Sequence, residues 1–227
     1  MGAICSCFAS EEPDADVARK IVVIGDGACG KTCLIYRFIR DEFDASSNTA
    51  DGYRPTVVET VRKELQIQKG NNFVQTTILL YDTGGQEDFE HLRKQSYPNT
   101  DGVIICFSVC SETSLDNVKR LWIPEMRNFS KDVPLLLVGN KSDTRENPNS
   151  VPPGSKFVST DKAKAMASEH NLVGYQECSA LTGKGVEQVF QTIAEHAVRR
   201  KRVVATQKKN QDTNSIRFSN LPDLPTA

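Results

Sequence analysis

The sequence lacks several features that would assign the chain to a specialised class of protein. It has no apolar run of about 18 residues, which predicts that no helix spans a membrane. It also lacks an apolar N-terminal segment of the kind found in secretory signals, which predicts an intracellular protein. Neither sign of charge dominates, because 28 basic and 29 acidic residues give a formal net charge of −1. A nucleic-acid partner is therefore not expected.

The cysteines do not follow the spacing of a disulfide framework or of a zinc site. Their number, seven, is odd, and five of them fall within apolar or motif segments. This pattern predicts reduced thiols. Cys5 and Cys7 form no CxxC pair and have no matching pair elsewhere, so zinc is not expected.

Short β-branched runs alternate with helical patterns along most of the chain. The predicted strands cover residues 20–25, 57–68, 74–81, 103–109, 135–139 and 175–178, and the predicted helices cover 31–40, 114–129, 160–170 and 185–200. Turn-forming residues at 69–72 join the second and third strands as a hairpin. The alternation predicts an α/β domain over residues 19–200, with a mostly parallel six-stranded sheet, one antiparallel strand and helices on both faces. Residues 1–18 and 201–227 are expected to be flexible tails.

A glycine-rich segment, GDGACGKT, lies between the first predicted strand and helix and fits the pattern GxxxxGK[ST] in full. Its glycines permit backbone conformations that direct N–H groups at a phosphate, and the helix start adds partial positive charge. Lys31 can bridge the β- and γ-phosphates, and the Thr32 hydroxyl can bind Mg²⁺. A turn without a ligand is the alternative, disfavoured because strand, loop and helix are in register. The predicted phosphate-binding residues are Gly25, Asp26, Gly27, Ala28, Cys29, Gly30, Lys31, Thr32 and Cys33.

A second polar segment, DTGGQE, begins where the third predicted strand ends. Asp82 is placed to hold Mg²⁺ through a water molecule. The N–H of Gly85 can contact a γ-phosphate, and Gln86 can orient the attacking water. Alone, this string is typical of an ordinary turn, and it indicates a phosphate site only together with the glycine-rich segment.

A third segment, Asn140-Lys141-Ser142-Asp143, follows an apolar strand and predicts selection of guanine over adenine. The Asp143 carboxylate can accept hydrogen bonds from guanine N1–H and the N2 amino group together, and adenine offers no such donor pair. Asn140 can join this loop by a hydrogen bond to the glycine-rich segment at residues 25–32, the phosphate loop. The aliphatic stem of Lys141 can cover the base. A backbone N–H after the last strand can reach guanine O6. The predicted base-binding residues there are Ser179, Ala180 and Leu181.

From about residue 19 to residue 200, these motifs closely resemble the Ras superfamily and, within it, the Rho/Rac family. The most similar segments are GDGACGKTCL at 25–34, YRPTVVE at 53–59, DTGGQEDFEHLR at 82–93 and ECSALT at 177–182. The resemblance implies that Thr56 binds Mg²⁺ in switch I, that Tyr53 covers the phosphates and that Phe43 packs against guanine. It implies that Gln86 is the catalytic glutamine. It also implies a monomer that meets exchange factors (GEFs), GTPase-activating proteins (GAPs) and effectors, in pathways of the actin cytoskeleton, cell shape or movement.

Four features depart from the family pattern. Residues 44–52 lengthen switch I, and Gly84 replaces an alanine, which is expected to loosen switch II (residues 82–93). Residues 146–155 carry prolines and serines where the family has a charged helix, and a loop is expected there. No cysteine follows Cys178, so prenylation is not expected.

The first residues, MGAICSC, fit the myristoylation pattern M-G-x-x-x-[ST] with Gly2 as acceptor. One acyl chain anchors only weakly, and Cys5 and Cys7 are candidate palmitoylation sites. Basic residues 199–202 can add attraction to anionic lipid. The alternative to acylation is an unmodified N-terminal tip. The alternative to a lipid-binding patch at 199–202 is a helix C-terminus whose basic residues interact with the helix dipole. Acylation predicts a place at the cytoplasmic face of membranes, with the plasma membrane favoured, and in the cytoplasm when the chain is unacylated.

These patterns together predict a Rho-type small GTPase that cycles between GTP and GDP and hydrolyses GTP slowly with Mg²⁺ as cofactor. Lys31 and Gln86 are the predicted catalytic residues. No arginine is an evident internal arginine finger, so a partner GAP is expected to supply one. Two alternatives remain: a non-cycling, membrane-tethered scaffold that holds GTP or GDP, and an ATP-using enzyme with a phosphate loop.

Overall fold

A computed structural model describes residues 18–43, 56, 58–69 and 72–200 of the chain. The strands are β1 Arg19–Gly25, β2 Val58–Lys69, β3 Asn72–Thr83, β4 Gly102–Ser108, β5 Leu135–Asn140 and β6 Gly174–Glu177. The helices are α1 Lys31–Arg40, α2 Glu90–Gln95, α3 Glu112–Asn117, α4 Ile123–Phe129, α5 Thr160–Glu169 and α6 Val186–Arg199. The expected order of strands and helices is confirmed, with most ends within two residues of those predicted.

The described strands form one six-stranded sheet in the order β2-β3-β1-β4-β5-β6. The β2–β3 hairpin is antiparallel, with Val58 opposite Thr83, and the other pairs are parallel. Nearly all residues of β1, β4 and β5 are buried, because helices cover a parallel sheet on both sides. The α/β fold class, with one antiparallel strand, is confirmed. Because β1, β3, β4, β5 and β6 are parallel, their carboxyl ends meet at one edge of the sheet.

Two hydrophobic clusters pack on opposite faces of the sheet. On one face, α1 and α6 meet through Phe38 and Phe190, whose rings stack with centroids 3.9 Å apart. Side chains of α6 at residues 186, 189, 190, 193, 194 and 197 are buried, as expected of an amphipathic helix. On the other face, the second cluster contains Trp122, Met126 and Met166. The helices are therefore on both faces, as predicted.

Residues 114–129 were predicted as one regular helix. The observed helical segment begins at residue 112 and contains a wide turn. Val118–Trp122 forms a π-helical turn between α3 and α4. The Ser111 hydroxyl accepts a hydrogen bond from the Ser114 N–H at 3.2 Å, so the helix starts two residues earlier than expected. The wide turn was not predicted, because the helical periodicity of residues 114–129 gives no local signal for it.

Two connecting segments also bear on the predictions. Residues 146–155 form a loop with one short 3₁₀ turn, Pro148–Ser150, which confirms the expected loss of a helix there. Switch II contains a 3₁₀ turn, Glu87–Phe89, followed by α2, and neither was predicted. Within the described part of the chain, no helix is long and apolar enough to cross a bilayer.

Candidate functional site

The phosphate loop runs from β1 into α1 at the carboxyl edge of the sheet. Gly25 has φ +139°, and a Cβ there would lie 2.2 Å from the Cys106 carbonyl oxygen, so only glycine fits. Gly30, just before α1, has φ +96°. The Lys31 ammonium is buried and donates to the carbonyls of Gly25 and Asp26 at 2.9 and 2.8 Å. The loop thus folds back over Lys31 and fixes its charge at the centre of the predicted phosphate site.

Three side chains predicted to surround a cation are joined by hydrogen bonds through the Thr32 hydroxyl. The Thr32 hydroxyl donates to Asp82 Oδ2 at 2.6 Å, and it lies 2.9 Å from the Thr56 hydroxyl. Asp82 Oδ1 is buried and has no hydrogen-bond partner. Burial raises the pKa of the Asp82 carboxyl, although the bond from Thr32 opposes that effect. Two hydroxyls and one unpaired carboxylate oxygen fit Mg²⁺, which is bound by few protein oxygens beside water and phosphate.

Switch II lies against the phosphate loop through glycines. A Cβ on Gly85 would lie 2.3 Å from the Gly25 carbonyl oxygen and 2.5 Å from the Gly27 nitrogen. Gly84 is buried, and a Cβ there would lie 2.4 Å from the Thr56 carbonyl oxygen. The sequence led us to expect that Gly84 loosens switch II. The missing methyl group permits close contact between the two switches, and the loosening of switch II stays a prediction.

A buried arginine that the sequence analysis did not single out fixes switch II. Arg93, in α2, has a side chain only 2% exposed. It forms a two-pronged ion pair with Glu125, at 3.0 and 3.1 Å, and donates to the carbonyls of Gly84 and Gln86 at 2.9 and 3.3 Å. The Tyr97 hydroxyl donates to the same carboxylate. The backbone on both sides of Gly85 is therefore held by one guanidinium.

A second unpredicted set of contacts joins the phosphate loop to residues 117 and 122 of the helical segment 112–129. The Asp26 carboxylate accepts one hydrogen bond from Trp122 Nε1 and one from Asn117 Nδ2, each at 2.7 Å. The Arg93 guanidinium lies over the Trp122 ring, 4.7 Å from its centroid. Helix 112–129 therefore contacts both the phosphate loop and switch II. One feature of the sequence could have indicated such a contact. Trp122 is the single tryptophan, and a buried indole N–H needs a hydrogen-bond acceptor.

The predicted guanine loops meet beside the phosphate loop. Asn140 Nδ2 donates to the Cys29 carbonyl at 3.0 Å, and the Cys178 thiol donates to Asn140 Oδ1 at 3.0 Å. The Ser179 hydroxyl donates to Asp143 Oδ1 at 2.5 Å, which orients the carboxylate. The predicted hydrogen bond between the Asn140 loop and the phosphate loop is therefore present.

The remaining predicted residues divide into those the structure describes and those it does not. Lys141 adopts a left-handed conformation with φ +64°, between the asparagine and aspartate of its motif. Leu181 is 51% exposed, and Phe43 is half-buried three residues after α1. Tyr53, Gly2, Cys5 and Cys7 lie outside the described residues.

A cleft of about 770 Å³ runs along the outer side of the phosphate loop. Ala28, Lys141 and Glu112 line it, and Pro152–Lys156 forms its far wall. A short parallel bridge between Ser111 and Lys156 holds that wall in place. The loop at 146–155 thus extends a surface that is continuous with the predicted nucleotide site.

Comparison with known sequences agrees with this architecture. A sequence model of the Ras family matches residues 20–199. Rho-related GTP-binding protein RhoB of Homo sapiens is 40% identical over 191 residues, which is 82% of this chain and 92% of that protein. The RhoB proteins of Mus musculus and Rattus norvegicus match with the same identity and coverage.

Proposed function

The chain belongs to the Ras family of small GTPases and is Rho-like within it, and from this membership we propose that it binds GTP and GDP and hydrolyses GTP slowly. The observation that carries the proposal is the hydrogen bond from Asn140 to the Cys29 carbonyl, at 3.0 Å. It joins the loop that would read guanine to the loop that would hold the phosphates. One guanine nucleotide can therefore occupy both loops at the carboxyl edge of the sheet.

Binding of the triphosphate rests on residues of β1, α1 and β3. Lys31, held by two carbonyls, would face the β- and γ-phosphates together with the N–H groups of residues 25–33. Thr32, Thr56 and, through water, Asp82 would hold Mg²⁺. When bound, that cation offsets negative charge on the triphosphate. Tyr53 would cover the phosphates, Phe43 would pack against guanine, and Ala180 and Leu181 would border guanine O6.

Hydrolysis is proposed as in-line attack of water on the γ-phosphorus. A bond forms between the water oxygen and phosphorus, the bond to the β–γ bridging oxygen breaks, and GDP and phosphate leave. Gln86 would orient the water, and its backbone carbonyl is held by Arg93 at 3.3 Å. Lys31 would stabilise charge on the transferred group. Arg37 and Arg93 are engaged with backbone carbonyls elsewhere, which supports an arginine supplied by a partner GAP.

The two switches give this reaction a signalling output. The γ-phosphate would order switch I around Thr56 and switch II from Asp82 to Arg93, and hydrolysis would release them. Effectors would bind the ordered form, while GEFs and GAPs would set its lifetime. For a Rho-like chain, we propose pathways that control the actin cytoskeleton, cell shape or movement.

Single-turnover hydrolysis of GTP with Mg²⁺ tests the proposal, with Gln86→Leu as the variant. We expect slow turnover by the natural chain and almost none by the variant, with equal retention of GTP by both. Gln176→Leu is a matched control, because this glutamine lies on β6 and its amide contacts Thr192. Retention of GTP without hydrolysis by the natural chain would favour the non-cycling scaffold. Retention of ATP in place of GTP would overturn the guanine assignment.

We also propose that the GTPase domain, residues 19–200, is held at the cytoplasmic face of a membrane by acyl groups. Gly2 would carry myristate, Cys5 and Cys7 would carry palmitate, and the basic residues 199–202 would add attraction to anionic lipid. Gly2→Ala should move the protein from the membrane to the soluble fraction of cells, and Ala3→Ser, which keeps the acceptor glycine, should not. Membrane binding that survives Gly2→Ala would refute this anchor.

A further inference from the structure

Helix α1 presents one side chain, Arg37, to the base loop, which is the loop of residues 179–183 that follows β6. Neither the motifs nor the proposed chemistry uses this side chain. Arg37 lies one turn beyond Cys33, and its side chain is only 16% exposed. Its Nη2 donates to the Leu181 carbonyl at 2.9 Å, 144 residues away in the sequence. The bond joins α1 directly to the loop that follows β6, which is the loop predicted to border guanine O6.

The other end of the same guanidinium closes helix α1. Arg37 Nη1 donates to the Asp41 carbonyl at 2.7 Å, and Asp41 has the left-handed conformation that ends the helix, with φ +54°. The Asp41 carboxylate lies 3.7 Å away and is 98% exposed, so the carbonyl bond is the stronger constraint. Phe43, predicted to pack against guanine, follows two residues later. One side chain thus fixes the chain on two sides of the predicted base site.

The base loop folds closely over this arginine. Gly183 has φ +81°, and a Cβ there would lie 3.4 Å from Arg37 Nε and 3.6 Å from Nη2. Within the loop, the Gly183 N–H donates to the Ser179 carbonyl at 2.9 Å. The Ser179 hydroxyl in turn holds Asp143 at 2.5 Å. A shift of Leu181 away from α1 would therefore disturb the residues predicted to bind guanine.

We propose that Arg37 is a positioning residue for guanine nucleotide, which slows nucleotide release by holding the base loop and the exit of α1 together. The inference rests on the proposed GTP and GDP site and adds a determinant of its lifetime. The Arg37 guanidinium is engaged by the carbonyls of Leu181 and Asp41, and it has no part in the proposed hydrolysis step. Its loss should accelerate release and leave the hydrolysis step unchanged.

GDP release from the full chain with Mg²⁺ tests the inference, with Arg37→Met as the variant and Arg40→Met as the control. Methionine keeps much of the length of the side chain and removes its donors. Arg40 lies on the same helix, but its guanidinium covers the Tyr36 ring at 4.7 Å and is exposed. Because hydrogen bonds between charged groups and carbonyls are strong, we expect release to be roughly tenfold faster for Arg37→Met. Arg37→Lys, with one donor group, should recover part of the loss, and Arg40→Met should leave release unchanged.

A nucleotide analogue separates positioning of the base loop from general loosening of the fold. The diphosphate of 2-aminopurine riboside lacks both O6 and the N1 proton of guanine, so it cannot use the base-loop N–H and can pair with Asp143 through its amino group alone. Arg37→Met should accelerate release of GDP by a larger factor than release of this analogue, with single-turnover hydrolysis of GTP unchanged. Equal acceleration of both nucleotides would overturn the inference, as would GDP release at the natural rate.

Two outcomes distinguish this inference from the proposed function. If the natural chain fails to retain GDP, the proposed function fails and the inference fails with it. If the natural chain retains GDP and Arg37→Met retains it equally well, only the inference fails. Should the methionine variant not fold, Arg37→Lys decides the question, since the increase in its GDP release must again exceed the increase for the analogue.

Discussion

Gly84 lies at a close contact between switch II and Thr56 of switch I, and an added methyl group would not fit there. A Cβ at this position would lie 2.4 Å from the Thr56 carbonyl oxygen and 2.8 Å from a ring carbon of Phe89. Alanine, the residue of the family pattern, therefore cannot enter without movement of switch I or of the 3₁₀ turn. Thr56 is also one of the proposed cation-binding hydroxyls, so this movement would reach the cation site.

We predict that Gly84→Ala destabilises the nucleotide-bound protein by about 1–3 kcal/mol, the usual cost of overpacking a filled site. Urea-induced unfolding with bound GDP measures the change. Gly174→Ala is the matched control, since a Cβ on Gly174 meets nothing within 4 Å. Equal stability of the two variants would show that switch I yields freely at this contact.

At the scale of elements, helix 112–129 has a role that its sequence position does not suggest. Through Trp122 it binds Asp26 of the phosphate loop, and through Glu125 it binds Arg93 of switch II. Arg93 then holds the carbonyls of Gly84 and Gln86. The helix thus stabilises both the phosphate loop and switch II, although none of its residues is predicted to contact the nucleotide.

We predict that Glu125→Ala costs about 3–5 kcal/mol of unfolding free energy, because it leaves the Arg93 charge buried without its partner. It should also slow single-turnover GTP hydrolysis, since Arg93 would no longer be fixed beneath Gln86. Glu169→Ala removes an exposed partner of Lys119 and is the control, for which we expect no measurable change. A Glu125→Ala variant with natural stability would mean that water replaces the carboxylate.

The difference between what the sequence predicted and what it missed follows the range of the interactions. Buried strands such as β1 and β5 are short apolar runs in the sequence, so the parallel sheet could be predicted from local patterns. Because parallel strands end at one edge, it could also be predicted that the loops after them lie together. The Asp26–Trp122 bond joins residues 96 positions apart, and no local pattern encodes it. The helix of switch II was missed for a related reason, since α2 has only six residues and depends on burial of Arg93.

At the scale of the whole molecule, stability should depend on pH through a carboxylate at the edge of the sheet. Glu177, at the end of β6, accepts two hydrogen bonds from Arg145 at 2.9 and 3.0 Å, and others from Tyr175 and Thr160 at 2.8 Å. Burial raises the pKa of this carboxyl, but the hydrogen bonds outweigh burial, and the net pKa is lowered. The ionised form is therefore favoured in the folded state.

Because the folded pKa is below the unfolded value of about 4.3, Glu177 should stabilise the protein fully above that pH. The contribution should be lost as pH falls through the lower, folded pKa. We predict that Glu177→Gln is less stable than the natural protein near pH 7 and that the difference shrinks below about pH 4. Unfolding free energies measured across this range provide the test, and a difference that stays constant with pH would contradict it.

The wide turn at Val118–Trp122 makes the length of this helix as important as its composition. A π-helical turn corresponds to one residue inserted into an α-helix. Deleting one residue there would restore regular winding and rotate every later side chain by about 100° about the axis. Trp122 and Glu125 could then no longer face Asp26 and Arg93 together, even though each residue type was kept. During divergence of such chains, a single-codon deletion in this segment would be more disruptive than most substitutions, and an alignment gap there would signal a switch that is supported differently.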